Sequence, residues 1–214
     1  MDGVFSISRY IQQTAREVWH METPVLYLGI DMPEIVPIER RGVSNVIWSG
    51  SIIRRKHPEL LLEVAREFPD LKFLMIGDGD IQDEIKKMIR QENITNVTLT
   101  GRLPNNQVYE KLKEADLLLM TSDKEGLPKV IGEAMAMSVP AIYINEYYDV
   151  DYVVDGQNGY AVRDVNEMKE RIHALLGEAG LYRSMSRNAA ESISTYLWKE
   201  LIKQYEAYFC QFVS

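Results

Sequence analysis

The sequence predicts an α/β fold in which a parallel sheet is covered by helices on both faces. Two observations carry that expectation. From Asn45 onward, short apolar runs of strand length alternate with helix-length segments of period 3.6. The runs are also apolar along their whole length, as in Phe73-Leu-Met-Ile76 and Leu117-Leu-Leu-Met120, and strands of that kind are buried on both faces. In such folds ligands bind beyond the carboxyl ends of the strands, near the point where the strand order reverses. The loops at 50–57, 77–80, 101–105, 122–129 and 145–151 are therefore the ones that matter for function.

The elements follow in order. Val4 to Ser8 and Thr23 to Leu28 read as short extended runs around a helix from Tyr10 to Trp19. Gly29 to Gly42 carries two prolines and no periodicity, which is the pattern of a linker. Residues 1–40 are too few for a core of their own and read as the tail of another domain or an appendage, with the main domain at 41–214. Asn45-Val-Ile-Trp-Ser49 is a strand, and Pro58 opens a helix that buries Leu61, Leu62, Val64, Ala65 and Phe68. Lys72 to Ile76 is the next strand, and a helix runs from about Ile81 to Gln91 with Asp80 as its N-cap. Val97 to Thr100, Asp116 to Thr121, Pro140 to Ile144 and Gly159 to Val162 complete the strands. Helices cover Gln107 to Glu114, the segment after Pro128, Val165 to Leu176, Leu181 to Ser192 and Trp198 to Phe212.

Composition narrows the function. A chain of 214 residues with 46% hydrophobic and 26% charged residues is an ordinary soluble protein. A net charge of -8 argues against a nucleic-acid binder. The one cysteine, Cys210, excludes an internal disulfide framework, fits a reducing compartment, and lies in an apolar helix where it is expected to be core. No run approaches the roughly 20 apolar residues of a membrane span, and the N-terminus lacks a signal peptide. A cytoplasmic protein is expected. His20, His57 and His173 show no metal-ligand spacing, so no metal is expected.

One stretch concentrates the chemistry: Ser122-Asp-Lys-Glu125-Gly126-Leu127-Pro128-Lys129-Val130-Ile131-Gly-Glu133. Pro128 suits a first helical position, which leaves the N–H groups of Lys129, Val130 and Ile131 free to meet an anion. Glu133 is the only charge in a long apolar segment; it either accepts the hydroxyl hydrogens of a ribose diol or pairs with a neighbouring Arg or Lys. Glu125 is either a sugar ligand or a solvated turn acid. Arg54-Arg55-Lys56, after Gly50-Ser51 at a strand end, could neutralise a diphosphate or simply be a solvated basic loop. Gly77-Asp-Gly79-Asp80 lacks the third glycine of a dinucleotide fingerprint and reads as a tight turn.

Glu125-Gly-Leu-Pro-Lys-Val-Ile-Gly-Glu133-Ala-Met-Ala-Met-Ser-Val-Pro140 resembles the E-x7-E signature of the family 4 retaining glycosyltransferases. Supporting stretches are Gly50 with Arg55-Lys56, Ile76 to Gly79, Leu99 to Leu103, Asp155 to Gly159, and the aromatic-rich last helix, so the resemblance covers residues 45 to about 212. It implies the Rossmann-like C-terminal domain of a two-domain, B-type glycosyltransferase, with residues 1–40 as the remnant of the N-terminal acceptor domain and linker. It also implies a nucleotide-diphosphate sugar as donor substrate, no separate cofactor, transfer of a hexosyl group with retention, and a lipid- or saccharide-linked acceptor, with the full-length protein peripheral to the membrane. By that resemblance Glu125 holds donor-sugar hydroxyls, Glu133 the ribose, and Arg55 and Lys56 the diphosphate. Gly50, Ser51, Gly126, Leu127, Pro128, Lys129 and Val130 line the donor, and Arg102 and Leu103 approach the base. The chain departs from the family at Ser51, where Arg is common, at Ser138, where Gly is usual, and at Tyr147-Tyr148, where a Gly-Gly loop is common and two rings would narrow the cleft. Without the acceptor domain and any catalytic His it supplies, transfer by this half alone is expected to be poor. Two other classes fit parts of the pattern: a non-catalytic nucleotide- or sugar-binding module, and a nucleotide-sugar epimerase, which should not show the E-x7-E context.

Overall fold

The structure is a computed structural model that describes residues 3–32 and 34–212; Met1, Asp2, Pro33 of the linker run, Val213 and Ser214 lie outside the described residues. Six strands form one sheet: β1 (Asn45–Ser49), β2 (Lys72–Ile76), β3 (Val97–Gly101), β4 (Leu117–Met120), β5 (Ala141–Ile144) and β6 (Gly159–Val162). Their order is β3-β2-β1-β4-β5-β6, with every neighbouring pair parallel. The helices are α1 (Arg9–Trp19), α2 (Pro58–Glu67), α3 (Gln82–Gln91), α4 (Asn105–Glu114), α5 (Lys129–Met135), α6 (Val165–Gly177), α7 (Ala179–Ser192) and α8 (Trp198–Phe209).

Side chains alternate across a strand, so each strand feeds two cores. Val46 and Trp48 of β1 pack with α2, α3 and α6, whereas Ile47 joins Leu112 of α4 and Ile131 and Ala134 of α5 on the opposite face. This is the parallel sheet covered on both faces expected from the continuous apolar runs, and it has the Rossmann-like form the resemblance implies. The strand order reverses at β1 and β4, which pair through Val46 with Leu117 and Ile47 with Leu118. The chain leaves these two strands in opposite lateral directions, which opens a crevice at their carboxyl ends.

Two glycines let the loops at that end close on each other. Gly50 N–H bonds the Ile76 carbonyl at 3.0 Å, Gly77 N–H the Gly101 carbonyl at 2.9 Å, and Ile52 N–H the Asp78 carbonyl at 2.8 Å. Gly77 has φ 141°, and a Cβ there would stand 1.8 Å from the Gly50 carbonyl oxygen. A Cβ on Gly79 would stand 2.2 Å from the Ile52 carbonyl oxygen. Gly77→Ala should therefore destabilise the fold by about 2–3 kcal/mol. A urea midpoint within error of the wild type would contradict this account of the loop.

Several sequence expectations are corrected. The runs 4–8 and 23–28 are not strands: they meet in a single parallel bridge, with Ser6 N–H on the Pro24 carbonyl and Leu26 N–H on the Ser6 carbonyl, both at 2.9 Å. Asp80 does not cap α3, because the chain extends by one more residue and Ile81 takes the cap position with its N–H turned to the Ile52 carbonyl at 3.3 Å. Cys210 is exposed and not core, since α8 turns only Leu201 fully inward. The linker run is not loose either. Ile30 is wholly buried and its N–H bonds the Tyr196 carbonyl at 2.8 Å, while Arg40 is buried beneath α4 and α5. Ser138 adopts φ 59°, which accounts for a glycine being usual there; its hydroxyl oxygen accepts from Ile38 N–H at 3.0 Å. Both ends of the 4–28 segment are tied to α8, whose Tyr205 hydroxyl donates to the Tyr27 carbonyl at 3.0 Å and whose Tyr208 hydroxyl donates to the Val4 carbonyl at 3.0 Å.

Candidate functional site: a crevice at the switch point

The loops after β1 and β4 face each other across the crevice and are tied from below. The buried Trp48 indole N–H donates to Thr121 Oγ1 at 2.9 Å, and the Thr121 hydroxyl donates to the Lys56 carbonyl at 2.6 Å. Asp123 N–H donates to the Arg55 carbonyl at 3.0 Å. Above these ties the Arg55 guanidinium meets the Lys124 carbonyl, and Lys56 Nζ is ion-paired with Glu125. Both members of that pair are largely shielded, with side-chain exposures of 16% and 14%. Arg55 itself stays half exposed, 4.0 Å from the same carboxylate. Glu125 is thus no solvated turn acid, and the basic loop is no free-standing patch.

Glu133 sits on α5, half-buried, with no ion-pair partner among the described residues. Its one hydrogen bond is from the Tyr109 hydroxyl, at 3.4 Å, which is long. Lys129, one turn away, is drawn instead to Asp31, whose other oxygen accepts from the Trp198 indole N–H at 2.8 Å. Burial pushes the Glu133 pKa above the ordinary carboxylate value; Lys129 opposes the shift, Asp31 adds to it, and the Tyr109 hydrogen bond opposes it. Burial, then the charges of Glu133 and Asp31, push the Tyr109 phenol up to about 12. The Lys129 ammonium, and to a lesser degree the Trp198 indole, hold the Asp31 carboxyl below its usual range despite partial burial.

The other sequence candidates fall along the same crevice. Gly50, Ser51, Arg102 and Leu103 line a cavity of about 300 Å³ together with Asn105 and Val108 of α4. Gly126, Glu125, Lys124 and Arg55 line a second one with Tyr10 and Ile11 of α1. Pro128 differs from expectation: it is the N-cap of α5, not its first helical residue. Its carbonyl accepts from Ile131 N–H at 3.0 Å and from the Tyr152 hydroxyl at 2.6 Å, so one of the three N–H groups expected to be free is taken. Leu127 and Pro128 are buried, while Lys129 and Val130 are half-buried at the rim. Of the two tyrosines, Tyr148 is buried and Tyr147 is exposed, so only Tyr148 packs into the wall.

Sequence reading missed the residues that hold this arrangement from afar. Ser8 caps α1 and donates its hydroxyl to the Gly126 carbonyl at 2.7 Å, which fastens α1 to the turn. The Arg9 N–H donates to Asp151 at 3.0 Å. Between α1 and the loop after β5 lies a cavity of about 720 Å³, lined by Tyr10, Tyr147 and Tyr148 with Glu146, Asp149 and Asp155. The signal the sequence offers for these contacts is Ser8 itself, a residue type that suits an N-cap, directly ahead of a helical run. Among the described residues no three His, Cys, Asp or Glu side chains converge as a metal site, and no helix is long and apolar enough to cross a membrane.

Fold and crevice together define a Rossmann-like domain of the B-type glycosyltransferase kind. The sequence model of the family described as Glycosyl transferases group 1 matches residues 39–192, and the chain belongs to that family. It is 26% identical over 204 residues to an uncharacterized glycosyltransferase of Methanocaldococcus jannaschii, covering 94% of this chain and 57% of that protein. It is 30% identical over 150 residues to a poly(ribitol-phosphate) alpha-N-acetylglucosaminyltransferase of Staphylococcus aureus, covering 66% of this chain and 30% of that protein. The chain therefore spans 57% or less of the length of these two relatives. Among solved structures, the sucrose-phosphate synthase of Thermosynechococcus elongatus superposes with a TM-score of 0.88 at 20% identity, over 99% of this chain and 58% of that one. A mutant of Staphylococcus aureus TarM, crystallised with fondaparinux, alpha-GlcNAc-glycerol and UDP, gives a TM-score of 0.86 at 23% identity, over 98% of this chain and 44% of that one. At these identities the likeness shows the fold.

Proposed function

We propose that the chain is the donor-binding half of a retaining hexosyltransferase that takes its sugar from a nucleotide diphosphate. The observation that supports this best is that the turn and helix following β4 carry both the Glu125–Lys56 pair and the half-buried Glu133, which no cation pairs among the described residues. Glu133 would accept the two ribose hydroxyl hydrogens, which supplies the hydrogen bonds that burial has taken from it. The base would lie in the cavity of Ser51, Arg102 and Leu103, and Arg55 and Lys56 would meet the diphosphate. Lys56 already holds Glu125, so one ammonium can bridge the phosphate and the carboxylate that grips the sugar hydroxyls. In the transfer, the bond from the anomeric carbon to the diphosphate oxygen breaks. The acceptor oxygen bonds that carbon on the same face, and its proton passes to the departing phosphate oxygen. Cations fixed at the leaving group contribute on the order of several kcal/mol to such a step. A carboxylate neutralised by Lys56 is a poor nucleophile, which makes Glu125 a positioning group. No metal or other cofactor enters this reading. The relative that joins N-acetylglucosamine to poly(ribitol phosphate) suggests a saccharide- or lipid-linked polyol as acceptor, which the remainder of a longer protein would bind.

A thermal-shift panel of UDP-, GDP- and ADP-sugars tests the reading. A ligand at a hundred times its dissociation constant adds about 2.7 kcal/mol, or about 5–11 °C in a chain of this size. No shift with any donor would remove the reading's support. Glu125→Ala should spare binding of the bare nucleotide and weaken the sugar-bearing form about tenfold by titration calorimetry. Equal losses on both ligands would contradict the division of labour between the two glutamates.

A further inference from the structure

His57 is held at both ring nitrogens in a backbone conformation that few side chains adopt. It ends the single turn Arg54–Lys56 and precedes α2 with φ 44° and ψ 53°. A non-glycine residue persists there where its surroundings enforce it. Two contacts do so: Nε2 lies 2.7 Å from Asp123 Oδ1 in the sugar-side turn, and Nδ1 lies 2.8 Å from Glu59 Oε1 in α2. A neutral imidazole has one N–H, so it can donate to one of these carboxylates while its bare nitrogen faces the other. The imidazolium satisfies both. The neighbouring cations are engaged elsewhere: Arg54 with Glu84 at 3.1 Å, Arg55 with the Lys124 carbonyl, and Lys56 with Glu125. From the loop after β5, the Tyr147 phenol and the Glu146 carboxylate also stand on the Asp123 side. Burial draws the His57 pKa down, but Asp123 and then Glu59 outweigh it and leave the group above its ordinary value.

We propose that His57 is a positioning residue: as an imidazolium clamped between Asp123 and Glu59, it fixes the Ser122–Gly126 turn on the basic loop and so sets where Glu125 meets the donor sugar. The consequence for the sugar rests on the donor-site reading; the clamp does not. The clamp is complete below about pH 6.5 and fades as the pH rises through the raised value, because the folded state holds the proton more tightly than the unfolded chain.

The Asp123 amide, bonded to the Arg55 carbonyl at 3.0 Å, reports on the clamp. Hydrogen exchange of the 121–126 segment in the full chain, corrected for intrinsic rates, should show about tenfold less protection near pH 9 than near pH 6. By NMR the His57 ring should titrate above the ordinary histidine value. His57→Gly accepts the left-handed backbone freely and should fold, yet exchange at the unclamped rate at both pH values. Glu59→Gln should move the midpoint to lower pH. UDP-N-acetylglucosamine affinity should fall about tenfold over the same range while UDP affinity stays level, and His57→Gly should abolish that difference. A ring that titrates at or below the ordinary value, or a turn equally protected at both pH values, overturns the clamp. A complete failure of UDP to bind overturns the donor reading instead, and leaves the exchange measurement to judge His57.

Discussion

Glu133→Ala is expected to weaken UDP and UDP-sugars alike by about a hundredfold, because two hydrogen bonds to a charged acceptor are lost together. The same residue should destabilise the ligand-free protein. Its pKa is raised by burial, so the folded state binds the proton more tightly than the unfolded chain. Stability then falls as the pH climbs from the ordinary glutamate value of 4.5 through the raised one. Glu133→Gln removes the charge and keeps the shape. It should therefore raise the melting temperature of the free protein while still lowering nucleotide affinity. Calorimetric titration with UDP and thermal melts of both variants check the two halves together. A Gln variant that is less stable and binds normally would mean that Glu133 serves the fold and not the ligand.

The same contrast explains what the sequence could reveal. Leu117 to Met120 is buried at every position, and a run of that kind is legible because both its faces are apolar. Glu133 stood out because it is a lone carboxylate against a local apolar background, and Glu125 because it stands eight residues ahead in the turn, in the spacing of the E-x7-E signature. The strand order was not legible, since pairing β1 with β4 joins residues some 70 positions apart and leaves no local trace. The Lys56–Glu125 pair and the Lys129–Asp31 pair are hidden for the same reason, as is the Ser8 hydroxyl on the Gly126 carbonyl. Local rules misled where a neighbouring loop outbid them. Asp80 has the chemistry of an N-cap, but the Ile52 carbonyl captured the Ile81 N–H first. Val4 to Ser8 has the composition of a strand, but among the described residues its one β-bridge is Ser6 with Val25.

Arg40→Ala is expected to cost about 3–5 kcal/mol, the range for breaking a buried charge network from one side. The Arg40 side chain is 4% exposed. Its guanidinium donates to the Lys113 and Met137 carbonyls at 3.0 Å and, at 3.4 Å, to the Leu112 carbonyl and to Asp116 Oδ1. Those carbonyls are at the carboxyl ends of α4 and the α5 segment, where helices leave acceptors unpaired and carry partial negative charge. Burial pulls the Arg40 pKa below its usual value, opposed by Tyr182 and Asp116, so the charge persists because several acceptors surround it. Asp116 in turn accepts the N–H groups of Ser44 and Asn45 at 3.0 and 2.9 Å, which fixes the entry to β1. Loss of the guanidinium should lower the melting temperature by about 6–20 °C. Arg40→Lys should recover only part of it, because one ammonium cannot fork to acceptors on two helices. Were residues 29–42 the free linker their prolines suggest, Arg40→Ala would leave the melt unchanged. Arg40 lies at the end of the sheet opposite the crevice, so the UDP affinity of the molecules that remain folded should not move. A melt that drops with binding intact would make Arg40 part of this domain's own core, in accord with a family match that begins at residue 39.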